Sequence, residues 1–449
     1  MQVTQTLAEG LKREFKVVLP ASELSAKLQS QLAELQTKAQ IKGFRPGKAP
    51  TSYLKRVYGK GLMSEVLQEA VNEANRKIVE EHKLRVALEP RLDFPGGQEE
   101  VEKALEAEGD FSYSVAFETL PEIEIGSFED ISLERPVATV SDADLSKALE
   151  SLAERAREFE DKGEGAKAAN GDKLTIDFAG KLDGVPFEGG TGGDIDLVLG
   201  TGSFIPGFEE QLEGAAAGEQ RLVKVRFPDN YSAQNLAGRD AEFDVTVKSV
   251  AAPKTQQVDD ALAKKYGFEA LADLQNAIRA NIEADFAKAS RDKLKRALLD
   301  ALDSKFTFDL PEGLVEQEFA GIWQQLEAER KRSGKTFADE GTTEEAARAE
   351  YRVIAERRVR LGLVLAEIGQ KAGVKVEDKD VTDAVVERAR AFPGQEKQVW
   401  DYYRNNPQAL AQIRAPLYEE RVVDYLASLI KIADKPVSRE ELLAQDEGD

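Results

Sequence analysis

Hydrophobic positions along the chain change period several times, and each change marks a different kind of element. From Gln2 to Leu19 two short runs of strand character flank Glu9-Gly10, which predicts a hairpin. Beyond Pro20, Leu24, Leu28, Leu32 and Leu35 recur at helical spacing, and Gly43 is placed to end that helix in left-handed geometry. After the loop Gly43 to Pro50, a second long amphipathic helix is predicted by Leu62, Val66, Leu67, Ala70, Val71, Ala74 and Ile78. Phe111, Tyr113, Val115 and Phe117 then alternate as a half-buried strand does, completing an α+β domain over residues 1–118.

From Thr119 to Val140 two prolines, mixed charge and no clear period predict an extended connector. A helix starting at Ser141-Asp142 and running to about Asp161 follows, so 119–160 reads as connector and linker helix. The Gly-rich stretch Asn170 to Val250 carries strand runs at 175–178, 196–199, 222–227 and 243–247, a compact β domain over 161–250. From Lys254 to Lys435 the pattern is helical, with breaks near Pro311, Ser333-Gly334, Gly373, Pro393-Gly394 and Pro407 that divide it into five or six helices. Sparse aromatics and many Ala and charged positions predict elongated arms for this 251–437 domain, and the acidic tail 438–449 is expected to fray. The fold class is multidomain α+β: an α+β domain first, an antiparallel β domain in the middle, all-α at the C-terminal end.

Composition narrows the chemistry. The 449 residues suit about three domains, and 61 basic against 83 acidic side chains leave −22, so bulk nucleic acid and anionic membrane are repelled unless a local basic patch meets them. With no cysteine, thiolate nucleophiles and disulfides are excluded; with His82 alone, a histidine-based metal or acid/base centre is not expected, and His82 is assigned a structural place. No cofactor is expected. The opening residues lack a basic region followed by an apolar core, and no run approaches a membrane span, which predicts a cytoplasmic protein with no membrane partner.

Between Lys38 and Lys60 the sign of the charge inverts. Lys38, Lys42, Arg45, Lys48, Lys55, Arg56 and Lys60 occur with no Asp or Glu between them, a cluster suited to phosphate contact. Within it, Gly43-Phe44-Arg45-Pro46-Gly47-Lys48-Ala49-Pro50 combines permissive glycines with stiff prolines, which would hold Phe44 and Arg45 at an exposed tip. Composition alone equally fits a solvated loop. The string GFRPGKAP, between two amphipathic helices near the start of an acidic chain, resembles the ribosome-docking signature of the trigger factor family, bacterial nascent-chain chaperones. The resemblance implies contact with a ribosomal protein and ribosomal RNA of the large subunit beside the tunnel exit, through Gly43, Phe44, Arg45, Pro46, Gly47, Lys48 and Pro50.

The stretch Gly171-Asp172, Ile176 to Gly180, Asp183-Gly184, Phe187 to Gly190, Leu199-Gly200, Phe204 to Glu209, Phe227-Pro228 and Phe243 to Val245 resembles FKBP-type prolyl isomerases over about 90 residues. That resemblance implies a bent antiparallel sheet around a short helix near Gly207 to Leu212. It also implies an apolar bowl lined by Phe178, Phe187, Ile195, Phe204, Ile205, Phe208, Tyr231, Leu236 and Phe243. Rotation about an X-Pro bond passes through a twisted imide with less charge separation than the planar one, so a pocket that strips water from it favours the twisted state without proton transfer. Phe208 would be the floor, Tyr231 a hydroxyl for a peptide carbonyl, and Glu188 a polar rim contact. The aromatics equally fit a plain domain core. Phe208, where many small FKBP enzymes have Trp, and a compact Tyr231 to Arg239 loop suit the trigger-factor branch.

In that family the helical region holds nascent and unfolded polypeptides, and free copies form homodimers, which the resemblance extends to this chain. Trp323, Trp400, Tyr402 and Tyr403 are read either as client contacts or as packing between helices. The competing function is a free cytosolic FKBP-type isomerase whose helical domains select substrates or dimerise; a periplasmic chaperone is opposed by the opening residues.

Overall fold

The structure, a computed structural model, describes all residues except 39–43, 45, 46, 96, 107, 108, 164, 230, 232, 234, 255 and 445–449. It divides into two compact units, Met1–Arg135 with Asp292–Asp434 and Pro136–Arg291 with Lys435–Asp449.

The hairpin is formed by β1 (Gln2–Glu9) and β2 (Lys12–Leu19), turning at Gly10 in left-handed geometry (φ 51°). Helices α1 (Ala21–Lys38) and α2 (Thr51–Glu81) follow, then β3 (Arg91–Asp93), α3 (Gly97–Leu105) and β4 (Phe111–Glu118). The strands make an antiparallel sheet in the order β1-β2-β4-β3. Phe111, Tyr113, Val115 and Phe117 all point into its core, against Leu24, Leu28 and Leu32 of α1 and Met63, Val66, Ala70, Ala74 and Ile78 of α2. The three residues of β3 are all exposed and carry no alternation to read, and α3 makes only about two and a half turns, with Val101, Ala104 and Leu105 as its apolar positions.

The connector is not a free linker. Ile123, Phe128 and Ile131 are buried in the first unit with Leu298, Leu302, Val364, Leu365, Val422 and Leu426. An extended segment laid across helices buries whichever side chains meet the grooves, so it shows no fixed period. Ser132–Val137 is β5, after which α4 (Asp142–Arg155) starts at a capping box: the Ser141 hydroxyl accepts from the Asp144 N–H, and the Asp144 carboxylate accepts from the Ser141 N–H at 3.0 Å. The helix ends at Arg155, six residues short of the expected Asp161, because Glu158–Asp161 forms β6 against the end of β10.

The middle domain contains β7 (Lys173–Leu182), β8 (Val185–Val198), β9 (Gln220–Arg226) and β10 (Asp240–Lys254), ordered β6-β10-β7-β8 with β9 on the other side of β10. Asp183 and Gly184, both at positive φ (50° and 82°), close the two-residue β7–β8 turn. Where a short helix was expected near Gly207, the chain makes only a 3-10 turn at Glu210–Leu212.

Next come α5 (Asp260–Lys265), α6 (Leu271–Lys305), α7 (Glu312–Ser333), α8 (Glu344–Ala372), α9 (Asp378–Arg390), α10 (Glu396–Asn405) and α11 (Pro407–Leu429). These are seven helices among the described residues, and the extra one over the expected five or six is the short α5. The predicted breaks recur, with Gly334, Gly373 and Gly394 at positive φ. Residues Lys431–Pro436, expected to be helical, instead form β11 paired with β5. Part of the tail is ordered: Ser438 caps α12 (Arg439–Leu443), whose Leu442 is buried. Within the first unit Arg85 pairs with Glu367 at 2.9 Å, and the Gly313 N–H donates to Glu118 at 2.8 Å, joining the N-terminal sheet to the helices.

Candidate functional site

A cavity of about 550 Å³ opens in the middle domain, lined by aromatic and aliphatic side chains from three strands and two loops. Phe178 comes from β7, Phe187 from β8 and Phe243 from β10, while Phe204, Ile205 and Phe208 come from the segment after β8 and Tyr231 and Leu236 from the loop before β10. Phe208 is buried and meets Phe243 edge-on at 5.4 Å and Phe178 at 6.4 Å between centroids. Tyr231 is 37% exposed at the mouth, its ring 4.7 Å from Phe227. Among the described lining residues Glu188 carries the only charge, and it is exposed. Such a chamber desolvates a bound chain and offers no titrating group to its floor.

Glycines seat the rings. A Cβ on Gly180 would come within 2.5 Å of Phe243, one on Gly190 within 2.9 Å of Phe187, and one on Gly192 within 2.7 Å of Phe178. The side-chain-free strand surface lets each ring lie against backbone.

Eight of the nine expected bowl residues line this cavity; Ile195 does not. Two β7 residues, Ile176 and Phe178, pair with Ile195 and Gly192, so β8 carries an extra residue there and Asp194 takes positive φ (53°). This bulge turns Ile195 beside Ile176, packed on the domain core. Sequence reasoning missed Phe227, Pro228, Ala233, Pro206 and Ser203 as lining; the Phe-Pro pair was visible, but the return of its loop over the bowl was not.

The basic loop is described in part, for Gly43, Arg45 and Pro46 lie outside the described residues, as does Lys42. Phe44 is not at an exposed tip: it is half-buried against the N-terminal core, its ring 5.0 Å from Tyr53. Apolar contact with Tyr53 outweighs exposure for a ring of this size. Gly47 takes left-handed φ (76°), Lys48 and Pro50 are exposed, and buried Ala49 anchors the return through its carbonyl, which accepts from Gln36 at 2.5 Å. Of the five described cations two are neutralised: Lys38 pairs with Glu34 at 2.9 Å and Lys60 with Glu106 at 2.8 Å, the latter pair raising the Lys60 pKa and lowering that of Glu106. Lys48, Lys55 and Arg56 stay exposed.

Trp323 is buried, stacked between Phe319 and Phe337 at 5.8 Å from each, with the Arg348 guanidinium 4.2 Å from its ring centre, so it packs helices together. Trp400 and Tyr403 are half-buried, and Tyr402 is exposed. His82 caps α2 with its ring 4.7 Å from Phe15. Among the described residues no helix is long and apolar enough to cross a membrane.

Three family models match in chain order: bacterial trigger factor protein over 1–152, FKBP-type peptidyl-prolyl cis-trans isomerase over 164–248, and bacterial trigger factor protein C-terminus over 270–428. The trigger factor of Methylocella silvestris is 62% identical across 99% of this chain and 96% of its own. That of Azorhizobium caulinodans is 55% identical across 100% and 99%. A solved structure titled for promiscuous substrate recognition in folding and assembly by the trigger factor chaperone shares the fold, with a TM-score of 0.56 over 95% of this chain and 99% of that one at 17% identity. With identity above half along its whole length, the chain belongs to the trigger factor family, ribosome-associated chaperones that carry an FKBP-type peptidyl-prolyl isomerase domain.

Proposed function

We propose that isomerisation takes place in the bowl floored by Phe208, and that Gly43 to Pro50 dock the protein beside the ribosomal tunnel exit. The observation that carries the first half is a 550 Å³ chamber with aromatic walls and a single rim carboxylate. A prolyl ring packed on Phe208 leaves its imide carbonyl in an environment that solvates the planar, charge-separated amide poorly, and the twisted state is favoured by that difference. The Tyr231 hydroxyl is placed at the mouth to donate to a peptide carbonyl.

The second half is supported by Lys48, Lys55 and Arg56, exposed cations in a −22 chain and suited to ribosomal RNA phosphates, beside the Phe44–Tyr53 pair as an apolar contact for a ribosomal protein. Nascent and unfolded chains are then held on the helical region, where Phe392, in the turn between α9 and α10, and Tyr402 of α10 are exposed, and free copies pair as homodimers in the cytoplasm. The family match over 1–152 favours this reading over a free isomerase. Its test is the full-length protein carrying Phe208→Ala, assayed for turnover of a tetrapeptide with one X-Pro bond and for co-sedimentation with bacterial ribosomes. Turnover is lost and binding kept; joint loss in a folded variant contradicts the division of labour.

A further inference from the structure

The segment from Leu199 to Ile205 leaves β8 and delivers Phe204 and Ile205 to the bowl; Leu199 is still paired with Gly171 and Asp172 at 2.9 Å, and beyond it the backbone N–H groups of Gly200, Gly202 and Phe204 are gathered by one carboxylate. Glu209 is 94% buried, with only 6% of its surface exposed, and accepts three backbone N–H bonds: from Gly200 at 2.8 Å and Gly202 at 3.0 Å on one oxygen, and from Phe204 at 3.1 Å on the other. Gly200 and Gly202 take left-handed backbone (φ 85° and 66°), which turns their N–H groups toward the carboxylate. A side chain at Gly200 would also collide with Asn170, whose Oδ1 lies 1.9 Å from where a Cβ would stand. Among the described residues no lysine or arginine forms an ion pair with Glu209, so these backbone amides are the partners of its carboxylate.

We infer that Glu209 is a positioning residue of the isomerase: it clamps the Phe204 wall against the Phe208 floor. The inference rests on the reading that the bowl is the isomerase site. Glu209 directly follows Phe208, in a turn where the Phe208 N–H donates to the Ile205 carbonyl at 3.0 Å and the Leu212 N–H to the Glu209 carbonyl at 3.0 Å. One turn therefore supplies both the floor and the clamp. Glu209 is not among the residues that line the bowl, so its effect passes through the wall. A wall already in place when the imide twists does not have to reorganise during the reaction, and that preorganisation is lost when the clamp opens.

The test compares full-length wild type with Glu209→Gln, Glu209→Asp and Phe208→Ala, on a tetrapeptide with one X-Pro bond. In Glu209→Gln a single oxygen remains and the amide NH2 must face either the glycine pair or Phe204. Turnover falls by about tenfold or more, mostly in kcat, and hydrogen exchange at the amides of Gly200, Gly202 and Phe204 accelerates while the unfolding midpoint of the domain is retained. Glu209→Asp keeps both acceptor oxygens and recovers part of the rate. Wild-type turnover in Glu209→Gln together with an inactive Phe208→Ala overturns the role of Glu209 and leaves the bowl intact as the site. Wild-type turnover in Phe208→Ala overturns the bowl reading and this inference with it. If both Glu209 variants lose cooperative unfolding, Glu209 is a folding residue only and the inference fails.

Discussion

The rings of Phe204 and Phe208 stack at 5.0 Å between centroids with 24° between their planes, so the wall and floor of the bowl are one packed unit. Removing the floor removes the surface on which a prolyl ring would rest. Phe208→Ala is expected to destabilise the domain by about 3–5 kcal/mol. Loss of about 3 kcal/mol of transition-state contact corresponds to about 100-fold in kcat/KM. Calorimetry and a peptide turnover assay check the two effects, and near-normal turnover in a folded variant counts against the assignment.

Gly192 tests the seating of the rings. Its missing Cβ leaves room for the Phe178 ring, which would otherwise stand 2.7 Å away. Gly192→Ala should cost about 1–3 kcal/mol through overpacking, and it should weaken peptide binding by pushing Phe178 into the cavity. Thermal unfolding and peptide titration read these separately, and an unchanged affinity would show that the ring yields away from the bowl.

At the basic loop the described ion pairs rank the cations. Lys48 and Arg56 are exposed, while Lys60 is paired with Glu106. Changing Lys48 or Arg56 to Gln should each lower the slope of log affinity against log salt for ribosome binding by about 0.7–0.9, as for one phosphate contact on RNA or duplex. Lys60→Gln should lower it less. Joint replacement of Phe44, Arg45 and Pro46 by Ala should abolish co-sedimentation. Equal slopes for all three single variants would place the RNA contact elsewhere.

Glu367 gives a pH dependence. Its side chain is 12% exposed, and the Arg85 hydrogen bond, with Lys371 behind it, holds its carboxyl below the usual carboxylate range. Because the folded-state pKa is lowered, the stabilisation is complete above the ordinary carboxylate pKa and is lost as pH falls through the folded value. Wild type should therefore exceed Arg85→Gln in urea midpoint at neutral pH, and the gap should close below about pH 4. A gap independent of pH would mean Arg85 acts through packing alone.

Elements whose burial has a period were legible in the chain: Phe111 to Phe117 alternate, and Val66 to Ile78 follow one helical face, so the side of each that turns to the core could be inferred before any contact was known. Ile195 misled because a bulge opposite Ile176 and Phe178 shifts its direction, and no residue-type pattern announces where a strand gains an extra residue. Ile123, Phe128 and Ile131 were unreadable for a related reason: their burial is set by grooves between helices remote in sequence. Phe44 illustrates the same limit on the basic loop, where the ring of Tyr53 decides its exposure.

By itself the sequence determined the order of domains, the helix breaks at glycine and proline, and the motif that carries the family. Those depend on local backbone preference and residue type, which are written one position at a time. Only the tertiary structure decided which aromatics share the bowl, that Glu106 neutralises Lys60, and that the Glu209 carboxylate gathers the amides of Gly200, Gly202 and Phe204. Each of those is a meeting of groups brought together by strand register, a turn or long-range packing, where distance and burial, rather than identity, set the strength of the interaction.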